Sequence, residues 1–416
     1  MTELQTLTLP NGLRIVHQNT STGVAYCGFM VDCGTRHEQN AADFGMAHFV
    51  EHILFKGTRK RDAWHINQRL ESVGGELNAF TTKEDTTFYA AFLPQDFAIA
   101  CELLCDLVCH PTAPQHELEK EREVVLDEID SYRDTPADLI YDVFEDRLFA
   151  GTPLGHNILG SEATVRTFDH DRCIGFIGRN YRPERMVFFA YGPMSWTTVV
   201  RLLTKHFDLP ATASDMKSRV AADANTATGV AQATADATFG AQHQAHCMLG
   251  CKAYPIGHKD AAALSLINNI LGGPGMNSRL NQQLREKRGL VYTVESTLTR
   301  FTDTGYFSIY FGCDHDDADR CLNLCRKELR RLIDQPLSPR QLKAAQKQFK
   351  GQMGIGTANL ENNALSLAKS YLRLGRVETL ADNCARIDAV TSEQIQRVAS
   401  ELFADGNLLE VRSSKL

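Results

Sequence analysis

Two histidines and a glutamate fall within five consecutive residues of Gly45–Thr58 (GMAHFVEHILFKGT). Met46, Phe49, Val50, Ile53 and Leu54 recur at helical spacing and predict a helix with one broad apolar face, which leaves His48, Glu51 and His52 on the other. Side chains four apart on a helix stand one above the other, so both imidazoles can reach one metal ion with the glutamate beside them. The order H-x-x-E-H reverses the H-E-x-x-H helix of common zinc proteases. A chance match in a chain of this composition is expected roughly 0.03 times. The competing reading is two surface histidines on a solvated helix face.

A catalytic zinc takes three protein ligands and leaves a fourth position to water. The acidic segment Gln115–Tyr132 reads as a helix whose Glu117, Glu121 and Glu128, at spacings of four and seven, share one face. Val124, Val125 and Leu126 are assigned mostly to its buried side. Spacing alone does not choose among the three glutamates, and a charge run on a helix is usually a solvated face.

These helices need a scaffold. At 416 residues the chain exceeds one ordinary core, so two domains are expected. Residues 211–236, rich in Ala, Thr and Asp with almost nothing large to bury, read as a linker between a domain at 1–210 and another at 237–416. A shift of 217 positions lays Asp43–Leu54 over Asp260–Leu271 with the apolar pattern shared. His48, Glu51 and His52 then meet Ser265, Asn268 and Asn269, so a duplication would leave the chemistry in the first copy alone. Leu13–Val16, Ala25–Val31, Thr86–Phe92 and Met186–Ala190 read as strands, and Asp62–Val73, Phe97–Cys109 and Gln341–Lys350 as helices. Regular βαβ alternation is absent, which predicts an α+β fold of two duplicated domains, each a mainly antiparallel sheet packed with helices.

Composition excludes other classes. With 43% apolar and 23% charged residues the chain is neither disordered nor fibrous. A net charge of −7 without a basic block disfavours nucleic acid, and the lack of a long apolar run disfavours a membrane span. The first residues carry no signal-peptide pattern. Twelve dilute cysteines fit a reducing compartment; Cys101, Cys105 and Cys109, like the pairs Cys247/Cys251 and Cys321/Cys325, read as small core residues.

His48–His52 (HFVEH), followed 76 residues after His52 by Glu128 in Glu121–Glu128 (EREVVLDE), resembles the inverted-motif zinc peptidases of the pitrilysin, insulin-degrading-enzyme and mitochondrial-processing-peptidase family. The resemblance extends through Gly74–Thr81 (GGELNAFT) and Gly151–Gly160 (GTPLGHNILG) to about residue 390, nearly the whole chain. It implies one Zn²⁺ per chain held by His48, His52 and Glu128, with Glu121 as a supporting carboxylate. Ser278–Tyr292 resembles the family segment whose arginine and tyrosine, seven apart, contact the scissile carbonyl, here Arg285 and Tyr292. Read alone, that segment is a basic helix ending at Gly289 and then a strand.

The resemblance implies hydrolysis of unfolded peptides, with Glu51 as general base toward a zinc-activated water. In the family, Leu77–Thr82 (LNAFTT) is an exposed sheet edge on which substrate adds as a strand. Asn78 would orient its backbone, and Ala79 and Phe80 would line its path. Family members form clam-shaped enclosures of four such domains; this chain has two, so a homodimer is expected. The alternatives are a non-catalytic scaffold subunit of the same fold, or one half of a heterodimeric peptidase. The same ligands also accept Mn²⁺ or Co²⁺. A cytoplasmic location is expected, and Ser414-Lys415-Leu416 matches the peroxisomal address as the alternative.

Overall fold

A computed structural model describes residues 3–211, 234–237 and 243–413. Most of the expected linker, and Ser414, Lys415 and Leu416, lie outside the described residues.

The first half runs β1 (Leu4–Thr8), β2 (Arg14–Asn19), β3 (Ala25–Val31), α1 (Met46–Leu54), α2 (Ala63–Glu71), β4 (Glu76–Thr81), β5 (Thr86–Phe92), α3 (Phe97–Cys109), α4 (Gln115–Arg133), α5 (Pro136–Leu148), α6 (Glu162–Val165), α7 (His170–Asn180), β6 (Met186–Gly192) and α8 (Trp196–His206). The second runs β7 (Thr234–Ala237), β8 (Ala245–Ala253), α9 (Ala261–Gly272), a π-helical stretch at Asn281–Glu286, β9 (Val291–Arg300), β10 (Gly305–Cys313), α10 (Ala318–Asp334), α11 (Pro339–Gly356), α12 (Leu360–Leu374), α13 (Leu380–Asp388), α14 (Ser392–Leu402) and β11 (Leu409–Ser413).

The chain forms two compact units that exchange helices. Unit one comprises Met1–Asp130, Thr152–Met216 and Asn359–Val377, and unit two comprises Ser131–Gly151, Lys217–Ala358 and Glu378–Leu416. Thus α12 of the second half belongs to unit one and α5 of the first half to unit two.

Among the described residues, unit one holds a six-stranded sheet in the order β1-β2-β6-β3-β5-β4, antiparallel except where β2 meets β6. β3 (AYCGFMV) and β6 (MVFFAYG) are apolar almost throughout because both faces of the sheet are covered. On one face Phe29, Phe88 and Phe188 join Phe49 and Ile53 of α1 and Leu103, Leu104 and Leu107 of α3 in a single core. On the other, Val16, Met30, Val187 and Phe189 lie under Ala364, Leu367 and Ala368 of α12. Arg373, 4% exposed, pins α12 to the sheet through Asp32 at 2.5 Å and Asp85 at 2.7 Å. β4 is the outer strand, and its pairing runs from Glu76↔Ala91 to Thr81↔Thr86.

Unit two repeats the plan with a five-stranded sheet, β7-β11-β8-β10-β9, antiparallel except for β7 against β11. Phe307, Ile309 and Phe311 pack with Leu264 and Ile267 of α9 and Cys321, Leu322 and Leu329 of α10. From α5, Phe144 meets Tyr306 at 5.9 Å, and the Tyr306 hydroxyl donates to Glu145 at 2.6 Å. The α+β class with two helix-packed, mainly antiparallel sheets is as expected.

In α1 His48 and Glu51 are buried along with its apolar residues and His52 is partly so, which goes against the competing reading of surface histidines on a solvated face. One expectation needs correction. In α4 the buried line is Leu118, Glu121, Val125, Leu126 and Ile129, and Val124, one position out of phase, is 47% exposed. The cysteines are free thiols; Cys101, Cys105, Cys247, Cys251, Cys321 and Cys325 are buried and Cys109 is partly so. Among the described residues, no helix is long and apolar enough to cross a membrane.

Candidate metal centre

α1 is fixed by its apolar residues in the core of unit one, and α4 by Leu118, Val125 and Leu126 in the same core. With both helices seated, His48 Nε2 lies 3.6 Å and His52 Nε2 3.7 Å from Glu128 Oε2. Among the described residues this is the single group of three or more metal-ligating side chains whose donor atoms all lie within 4.8 Å of one another. Bonds of about 2.0–2.1 Å in a tetrahedral sphere place donors about 3.3 Å apart, so two imidazoles and a carboxylate at these separations fit Zn²⁺ with little movement.

The three groups differ in electrostatics. Burial, with His52 beside it, pushes His48 down to about 3, which keeps its imidazole neutral with a lone pair to offer. Its Nδ1 is buried without a hydrogen-bond partner among the described residues. At His52 burial acts downward but is outweighed by the Glu121 hydrogen bond and by Glu51 and Glu128, which raise it. His52 Nδ1 lies 3.1 Å from Glu121 Oε2, an arrangement that orients the ring and directs Nε2 toward Glu128. Lys56 holds the other oxygen of Glu121 at 2.7 Å. Burial is also the main reason Glu128 is raised.

Of the three glutamates that share a face of α4, Glu128 joins the donor group and Glu121 supports His52. Glu117 instead accepts from Lys120 at 2.8 Å.

Glu51 lies outside the donor group. Its Oε2 accepts a 2.5 Å hydrogen bond from Thr81 Oγ1, at the end of β4. Burial raises its pKa, opposed by that hydrogen bond and by His52. Thr81 and Lys56 were not singled out by the sequence reading, because nothing local marks either: their partners are 30 and 65 residues away.

Along β4, Leu77 and Ala79 pack on the core that contains α1, whereas Phe80 packs on the opposite face with its ring 6.2 Å from Tyr89. Asn78 shares the face of Phe80 by strand alternation. Among the described residues, no strand pairs with the outer edge of β4.

Arg285 and Tyr292 belong to unit two. Arg285 is the last residue but one of the π-helical stretch, and Tyr292, 82% exposed, is the second residue of β9. Both line a cavity of about 620 Å³ together with Ser265, Asn268 and Asn269. Those three stand on α9 where the duplication places His48, Glu51 and His52, so the second copy keeps a cleft without the ligands.

Residues 14–162 match the family described as insulinase, peptidase family M16, and residues 167–349 match the peptidase M16 inactive domain. A protein of Streptomyces coelicolor named as an uncharacterized zinc protease is 34% identical over 95% of this chain and 86% of its own length. The chain belongs to peptidase family M16. A Bacillus subtilis member also named as an uncharacterized zinc protease is 32% identical over 98% of this chain and 97% of its own. The beta subunit of the mouse mitochondrial-processing peptidase is 28% identical over 97% of this M16 chain and 83% of its own. In fold, the chain is similar to a protease from Helicobacter pylori, with a TM-score of 0.91 over 100% of both chains at 22% identity.

Proposed function

We propose that this M16 protein is a zinc-dependent endopeptidase acting on unfolded peptides. The observation that carries the reading is the convergence of His48 Nε2, His52 Nε2 and Glu128 Oε2, with Glu51 held beside them but outside the donor set. Zinc, when bound, supplies a Lewis acid and a water of lowered pKa. The protein groups do the rest. Glu121, braced by Lys56, holds His52 in the tautomer that presents Nε2. Glu51 takes a proton from the attacking water and returns it to the leaving amine, and Thr81 orients it for both steps.

The unpaired edge of β4 offers main-chain donors and acceptors to an extended peptide, with side chains alternating between the Ala79 and Phe80 faces. Asn78, Ala79 and Phe80 are accordingly proposed as substrate contacts. Arg285 and Tyr292 are proposed to stabilise the oxyanion at the scissile carbonyl, a contribution of about 3 kcal/mol for such a donor. The chain is proposed to work as a homodimer, for which light scattering is the check.

The test is metal analysis coupled to digestion of a quenched unstructured peptide. About one zinc per chain, loss of cleavage with chelator and its return with zinc support the reading. A purified protein that takes up zinc and cleaves nothing favours the scaffold alternative.

A further inference from the structure

α1 starts without a cap of its own. Its first position is Gly45, at φ +95°, with no side chain to accept the free N–H groups of the first turn. Glu38, a buried carboxylate upstream, accepts them instead: Oε2 from Gly45 N–H at 3.1 Å and Oε1 from Ala47 N–H at 2.9 Å. Glu38 Oε2 also lies 2.9 Å from Nε2 of His156, itself buried. The His156 ring stacks flat on Phe44, with centroids 3.8 Å apart and 5° between planes. The backbone carbonyl of His156 accepts from the Lys83 ammonium.

The fit around this clamp leaves no slack. A Cβ on Gly45 would lie 2.5 Å from the Leu159 carbonyl oxygen, and one on Gly160 would lie 2.2 Å from that of Phe44. Loop 151–160 therefore crosses the entrance of α1 at backbone contact. Lys83 follows β4, whose Thr81 holds Glu51. One carboxylate thus joins the start of the histidine helix, the crossing loop and the end of the edge strand.

We infer that Glu38, held by His156, is a positioning residue that sets the first turn of α1 so that His48 and His52 aim at one point. The inference rests on the zinc reading above. α1 is only nine residues long and His48 lies in its first turn, so a shift of that turn displaces His48 along with Met46 and Ala47. Metal–ligand distances at a well-formed site lie within about 0.2 Å of their standard values. Glu38 acts on the histidines through that turn, so zinc affinity measured beside melting temperature separates positioning from folding. A negative charge at a helix N-terminus is also favourable in its own right.

The experiment measures zinc affinity by competition with a chromogenic chelator, with melting temperature and far-ultraviolet circular dichroism recorded for every variant. Glu38→Gln and His156→Leu are each expected to weaken zinc binding about tenfold or more, the range seen when groups that orient metal ligands are lost. His156→Gln, which keeps an N–H donor toward Glu38, is expected to recover most of that loss. Phe29→Leu, a core change in the same unit whose ring packs on Phe188 and Phe207, is expected to lower the melting temperature and leave zinc affinity within about twofold of the parent, inside the usual scatter for independent sites. A parent that binds zinc beside a Glu38→Gln variant that binds it equally overturns the inference alone. Loss of affinity that simply follows melting temperature, Phe29→Leu included, also overturns it. A parent that binds no zinc overturns the zinc reading and this inference with it.

Discussion

The Thr81 hydroxyl donates a 2.5 Å hydrogen bond to Glu51 Oε2 and so ties the edge strand β4 to the helix that carries both histidines. The same bond orients the proposed base and leaves its second oxygen available. A hydrogen bond to a charged group is worth about 1.5–3 kcal/mol. Thr81→Val is expected to lower kcat by about tenfold to a hundredfold with zinc content unchanged, while Thr81→Ser, which keeps the hydroxyl, stays near the parent. Steady-state kinetics with parallel metal analysis check this; unchanged kcat in Thr81→Val would remove Thr81 from the machinery.

Glu121 connects Lys56 to His52 and is not among the convergent donors. Removing it frees the His52 ring to rotate and leaves Lys56 without its carboxylate. Glu121→Gln is therefore expected to weaken zinc binding about tenfold to a hundredfold without abolishing it, whereas Glu128→Gln removes a donor and loses far more. Chelator competition on both variants gives the order, and the reverse order would exchange the two roles.

Asp32 contributes to stability in a pH-dependent way. Burial pushes its carboxyl upward, but Arg373, His37 and Arg185 outweigh burial and hold it below the usual carboxylate range. A carboxylate depressed in the folded state stabilises above its unfolded pKa, and that contribution disappears as pH falls through the folded value. Asp32→Asn should therefore melt below the parent at neutral pH, with the difference closing as pH drops below about 4, the unperturbed carboxylate range. Melting curves across that range test it; a difference that grows in acid would contradict the assignment of Asp32 as the ionised partner of Arg373.

Much of the site was legible in the sequence because helix geometry fixes what residues four apart can do: His48 and His52 needed only a helix, and Met46, Phe49, Val50 and Ile53 announced one. Glu128 was not legible from spacing, since Glu117 and Glu121 lie on the same face of α4; the family resemblance pointed to it, and the fold separates the three by their partners. The pairings of Thr81 with Glu51, Lys56 with Glu121 and Glu38 with His156 join residues 30, 65 and 118 apart, and no local pattern encodes such pairings. The sheet of unit one was visible as apolar strands in β3 and β6. Which helix covers which sheet was not, because the amphipathic pattern of α5 or α12 states that a helix needs a partner without naming it.

The central claim separates metal holding from proton transfer, and Glu51→Gln tests it most directly. Zinc stoichiometry and peptide turnover are measured on the same preparation of parent and variant. The expected result is about one zinc per chain in both, with turnover in Glu51→Gln lower by about a hundredfold to ten-thousandfold, the span of a lost general base. A Glu51→Gln protein that keeps its zinc and cleaves peptide at the parental rate would contradict the account.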